Sequence, residues 1–178
     1  MARKPPNRSV YFQAPRLKLI AKEFNNPLLS AADIDEFELQ AAQALLVIIK
    51  DHIQRQDLPW KKLSAAYLAQ KKKEGLNTGT WIATGELDYL LGVHKDPKQG
   101  YYVGGAPNQI HKSSGLLLND LIEIHEFGNA LVGIPARPLF RPSAKEFREY
   151  IKTDLSKDIN KKMRENWNKL MKRMSKYA

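Results

Sequence analysis

Gly133-Ile134-Pro135-Ala136-Arg137-Pro138-Leu139-Phe140-Arg141-Pro142-Ser143-Ala144-Lys145-Glu146-Phe147 is the stretch on which the reading of this chain turns, because its backbone rules change part-way along. Pro135 and Pro138 each disfavour helix for the residue before them, so residues 130–141 read as extended. Ser143 and Glu146 then match a capping box, in which a hydroxyl and a carboxylate satisfy each other's backbone donors, and a helix is predicted from that point onward. Along this helix Phe147, Ile151, Leu155, Ile159, Met163 and Trp167 recur at intervals of four. Four helical residues turn through about 400°, so the stripe drifts by about 40° per step and is expected to cross more than one packing surface.

Working outward, Ser114 is predicted to cap a helix from Gly115 to Phe127, which Gly128 ends in a left-handed cap. Gly128, Pro135, Arg137 and Pro138 form one structural motif. The glycine permits the turn, and the prolines stiffen the extended segment and lower the entropy of the unfolded chain. The planar fork of Arg137 suits a carboxylate or backbone carbonyls, as a clamp within the domain or between subunits.

Further back, Ser30 and Asp33 mark the start of a helix running to about Gln56. Its centre, residues 41–49, is apolar nearly all round and must be buried on more than one side. A second helix is expected from Asp57-Leu58-Pro59, with Trp60, Leu63, Ala66, Tyr67 and Leu68 inward. Lys71, Lys72 and Lys73 complement its carbonyl end, and Gly75 suits its C-cap. A short helix is expected from Thr84 to Leu91, then a hairpin pairing Val93–Asp96 with Tyr101–Val103. The whole reads as α+β: residues 1–29 an extended basic arm, residues 30–142 a core of a small antiparallel sheet packed by helices, and residues 143–178 a basic amphipathic helix.

The chain has no cysteine, which excludes disulfides and thiolate metal sites and fits a reducing cytoplasm. Its longest apolar run, Ala44 to Ile49, is six residues, against the roughly 20 a membrane helix needs. No apolar signal-peptide core follows the N-terminus, so a soluble, unexported protein is expected. The net charge of +10 sits at the ends: residues 1–30 hold six Lys/Arg against one Glu, residues 31–142 twelve against thirteen acids, and residues 143–178 eleven against five. Basic ends suit a nucleic acid backbone or an acidic partner. The arm carries apolar residues without period among four prolines, as expected of a segment that orders either on its own domain or on a neighbouring subunit.

A search for catalytic sets returns little. His125-Glu126 begins like a zinc-protease motif, but Asn129 stands where the second histidine ligand belongs. His52, His94 and His111 have no ligand spacing, and residues 105–113 miss both glycines of a phosphate loop. Asp33/Asp35 and Glu36/Glu38 are expected on an exposed helix face without the cleft that acid–base pairs need. No serine has a nucleophile-elbow pattern. The reading is therefore a non-enzyme with no cofactor.

Three stretches in this order resemble the neck or tail-completion proteins of tailed bacteriophages, including the Mu-type virion morphogenesis proteins. They are Trp60-Lys61-Lys62-Leu63-Ser64-Ala65-Ala66-Tyr67, then Thr84-Gly85-Glu86-Leu87, then Ile124-His125-Glu126-Phe127-Gly128 followed by residues 133–142. The last is similar to that family's aromatic-glycine helix end followed by Ile-Pro-Ala-Arg-Pro-Phe and a C-terminal helix. Tyr89-Leu90 replace a serine common in the family. The resemblance implies a structural virion protein, assembled in the host cytoplasm, that forms a ring of six or twelve identical subunits joining head to tail. Its partners would be the portal or connector and the tail terminator or tail tube, with DNA passing through the lumen and no membrane. Candidate subunit or partner contacts are Tyr11, Phe12, Arg16, Lys18, Ile151, Leu155 and Trp167. Candidate DNA or acidic-partner contacts are Arg3, Lys4, Arg8, Lys161, Lys162 and Arg164. The alternative is a basic nucleic-acid-binding accessory protein.

Overall fold

A computed structural model describes residues 12–13, 28–98 and 100–175 of the chain, residues 12, 13 and 174 by their backbone alone. Its elements are β1 (Phe12–Gln13), α1 (Ala31–Arg55), α2 (Ala65–Lys73), α3 (Glu86–Leu90), β2 (Gly92–Asp96), β3 (Gly100–Gly104), α4 (Leu118–Phe127), a 3-10 turn (Ala130–Val132), α5 (Phe140–Tyr150), a π-helical turn (Ile151–Leu155) and α6 (Ser156–Met174). The fold is α+β: an antiparallel sheet in the order β1-β3-β2, packed by helices. The arm residues Tyr11, Arg16, Lys18, Arg3, Lys4 and Arg8 lie outside the described residues, while the backbone of Phe12 pairs with Val103 of the chain's own β3.

The organising element is α1. Ser30 and Asp33 form its capping box, the Ser30 hydroxyl accepting from the Asp33 N–H at 3.1 Å and the Asp33 carboxylate from the Ser30 N–H at 2.9 Å. Those bonds to Ser30, with further help from Lys162, lower the Asp33 carboxyl to about 2. Phe37, Ala41, Ala42, Leu45, Ile49 and Ile53 are buried on it. The helix is covered from two sides, by α5 and by the β2–β3 hairpin. That is the arrangement its all-round apolar centre calls for.

The long C-terminal helix lies antiparallel along α1. Four polar contacts mark the course: Glu146 beside His52 at 3.3 Å, Gln40 donating to Asp158 at 3.1 Å, Lys162 on Asp33 at 3.1 Å, and Asn166 donating to the Leu28 carbonyl at 2.7 Å. The four-residue stripe thus follows one surface as far as Asn166, against the expectation that it would cross several. The π turn is the physical reason: its i→i+5 register winds fewer degrees per residue than an α-helix and cancels the drift of the stripe. Hydroxyls of Thr153 and Ser156 take up the carbonyls of Glu149 and Lys152, at 2.9 and 2.6 Å. Phe147 and Leu155 are fully enclosed in the chain's own core and Ile151 packs against it, so Leu155 is not a partner contact. Trp167 beyond them is half exposed.

Several boundaries differ from expectation for local reasons. The second helix starts at Ala65, capped by the Ser64 hydroxyl, because Asp57 is held by His52 at 2.7 Å instead of capping a helix. Its end follows the expected glycine cap: Gly75 has φ 68°, with its N–H on Lys72 and that of Leu76 on Lys71. The helix placed at Gly115 starts at Leu118, since Ser114 bonds His111 at 2.9 Å. Glu38, expected on an exposed face, is buried under the hairpin turn, where a Cβ on Gly100 would stand 2.9 Å from its carboxylate. Asp35 binds Lys95 and the Tyr101 hydroxyl. Phe147→Ala is expected to lower unfolding free energy by about 3–5 kcal/mol in urea titration, the cost of a cavity in a close-packed core.

Candidate functional site

The capping box expected at Ser143 and Glu146 does not form. The helix begins at Phe140; the Ser143 hydroxyl donates backward to the Leu139 carbonyl at 2.7 Å, and Glu146 faces His52. The cap comes instead from Glu126 in the last turn of α4, a fully buried carboxylate. Its Oε2 accepts from the N–H groups of Leu139 at 2.7 Å and Phe140 at 3.0 Å, and its Oε1 from that of Arg141 at 3.2 Å. A helix leaves four N–H groups without intrahelical acceptors. Here three go to Glu126, and the fourth position is Pro142, which has no N–H. The Arg141 guanidinium supplies the counter-charge, its Nε 3.2 Å from Oε1, and stands over the Phe127 ring.

This cap draws the Pro135–Pro138 segment back alongside α4. Arg137 N–H bonds the His125 carbonyl at 2.7 Å, and Asn129 pairs with Ile134 across the turn. Gly128, at φ 77° and ψ 172°, adopts a conformation open to glycine but not the expected left-handed cap. A Cβ there would stand 2.6 Å from the Ala136 nitrogen. Trp60 Nε1 donates to the Pro138 carbonyl at 2.6 Å, Trp81 Nε1 to the Arg137 carbonyl at 3.2 Å, and Arg137 Nε to the Lys61 carbonyl at 3.3 Å. The Arg137 side chain thus holds a backbone carbonyl of its own domain.

Between α2, Trp81 and this segment lies a pocket of about 360 Å³ lined by Lys71, Arg137, His125, Tyr67 and Trp81. Lys71, expected to complement the carbonyl end of its helix, is 3% exposed, and Arg137 is 7% exposed. The ammonium donates to the Gly79 carbonyl at 2.8 Å and lies over the Tyr67 ring. Burial pushes the pKa values of both groups down, and the nearby Arg137 charge adds to the effect on Lys71. His125 packs on the Trp81 ring at 4.8 Å between centroids, and its Nδ1 is buried without a hydrogen-bond partner. Burial first, then Arg137, lowers its pKa to about 4.

The loop that resembled a phosphate site already holds an anion of its own chain. Lys112 N–H at 2.7 Å and the Ser113 hydroxyl at 2.7 Å both donate to Glu86 of the Thr-Gly-Glu-Leu stretch. Those bonds, led by Ser113, hold the Glu86 carboxyl below its usual range. Lys161 and Arg164 are exposed on α6, whereas Lys162 is taken up by Asp33. Among the described residues no three His, Asp or Glu side chains stand together as metal ligands, and no helix is long and apolar enough to cross a membrane. The capping role of Glu126, the burial of Lys71 and the place of Trp81 escaped the sequence reading. For Glu126 a signal existed: Leu118, Ile122 and Glu126 share one buried face, and a carboxylate on an apolar stripe must have partners.

Two measurements test this arrangement. Glu126→Ala strands the buried N–H groups of Leu139 and Phe140 and loses the bond to that of Arg141, and is expected to cost about 3–5 kcal/mol of stability. His125 has a folded pKa below its unfolded value, so its neutral form favours the fold, and stability is lost as pH falls from 6.5 toward 4. That loss should reach roughly 3 kcal/mol in urea titrations and be absent in His125→Phe.

No protein-family model matches the chain. No solved structure matches it either. The chain is 31% identical over 137 residues to the uncharacterized protein MJ0331 of Methanocaldococcus jannaschii, a match covering 72% of this chain and 91% of that protein. The chain belongs to the same family as this archaeal protein.

Proposed function

We propose that this chain is a non-enzymatic structural protein of the tailed-phage neck, forming a ring of six or twelve copies that joins the head connector to the tail. One support is that the three stretches carrying the resemblance meet in space: Trp60 and Lys61 bond Pro138 and Arg137, and Tyr67, Thr84 and His125 line one pocket. Such mutual dependence is what a shared structural unit requires.

The observation that carries an assembly role is an apolar turn held out into solvent. Leu131 is 96% and Val132 65% exposed, with half-exposed Phe127 beside them. The turn is fastened by two Asn129–Ile134 backbone bonds and by the Asn129 side chain on the Leu131 N–H at 3.1 Å. Apolar side chains fixed outward lose little further entropy when a neighbouring copy covers them. Trp167, Leu170 and Met171 add exposed apolar surface along α6. A second reading, a nucleic-acid-binding accessory protein, is favoured by Lys161 and Arg164 lining one groove with Asn160 and Asn168.

Native mass measurement over a concentration series is expected to give a closed oligomer. Leu131→Ser combined with Val132→Ser should weaken assembly by about tenfold or more without loss of helical signal. A strictly monomeric protein missing from purified particles would overturn the proposal. Duplex-DNA binding with a steep salt slope, without phage proteins, would favour the second reading.

A further inference from the structure

The pocket beneath the Arg137 clamp contains two buried cations facing one space. Among the described residues no carboxylate lies within ion-pair distance of Lys71 or Arg137. Each has one hydrogen bond to a backbone carbonyl, Gly79 for Lys71 and Lys61 for Arg137. An ammonium has three donors and a guanidinium five, so most of the donors on both remain for another acceptor. Burying two like charges together without a counter-ion is costly, and an anion that both can reach offsets that cost.

We infer that this pocket is a binding site for a phosphoryl group. A dianion matches the two positive charges, whereas a carboxylate would leave one uncompensated. Arg137 offers the planar fork suited to paired phosphate oxygens and Lys71 a point charge. Of the other polar walls, Ser113 is engaged with Glu86, Ser114 with His111 and Glu74 with Gln70. At about 360 Å³ the space exceeds one phosphate, and the rings of Tyr67 and Trp81 line the excess, which fits the organic part of a phosphate monoester. Glu74 also lines the pocket, its carboxylate held by Gln70 at 2.9 Å, and disfavours a long polyanion such as a nucleic acid backbone.

The test is calorimetric titration of the full chain, in phosphate-free buffer, with inorganic phosphate, phenyl phosphate and benzoate. Saturable binding of phenyl phosphate with little or none of benzoate is expected. Tighter binding of phenyl phosphate than of inorganic phosphate assigns the site to a monoester; equal affinities assign it to free phosphate. Lys71→Met, and separately Arg137→Lys, which keeps the charge but loses the fork, should each weaken binding by roughly tenfold or more while circular dichroism stays unchanged. Absence of saturable binding in the unmodified chain, benzoate binding as tightly as phenyl phosphate, or unchanged affinity in either folded variant would overturn the inference. None of these readouts depends on oligomeric state, so the result is independent of the neck proposal.

Discussion

The fully buried carboxylate of Glu126 sets the start of α5 from thirteen residues upstream, and much of the domain hangs on that contact. A helix N-terminus carries partial positive charge and orphan donors, and a carboxylate supplied by another helix answers both at once. Because Glu126 is in the last turn of α4, the cap also fixes where one helix ends relative to the start of the next. The intervening chain has no choice but to double back through Gly128 and the two prolines.

From that constraint the rest follows in two directions. Toward the core, α5 packs on α1 and buries Phe140 and Phe147, and the π turn keeps the later part of the stripe on the same neighbour. Toward the other side, the returning segment presents its carbonyls to Trp60 and Trp81 and its arginine to Lys61. Both indole N–H groups terminate on one short extended piece of backbone. The pocket lies between this piece and α2, with the rings of Tyr67 and Trp81 in its walls.

The two functional ideas occupy different parts of this scaffold. An outward turn, braced at its base by Asn129 and Ile134, holds the apolar side chains of the proposed contact surface in solvent. The inward face of the same connection carries Arg137 beside Lys71 and His125, three groups whose charged forms burial disfavours. The proposed site and the proposed contact surface thus lie on one connection and share a backbone.

What the sequence by itself determined was whatever depends on neighbours a few residues apart. The Ser30–Asp33 box, the glycine cap at Gly75, the hairpin around Pro97 and the buried centre of α1 were all legible, because propensity, periodicity and capping act locally. The α+β class followed from their order. Ser143–Glu146 shows the limit: a well-formed local capping pattern lost to a carboxylate that arrives from another helix and satisfies three donors instead of one. Lys71 shows it again, since its place in the last turn of a helix says nothing of the Gly79 carbonyl and the Tyr67 ring that meet its ammonium. Whether a charge is buried, and with what company, is a property of packing between distant segments, and only the tertiary structure decided it.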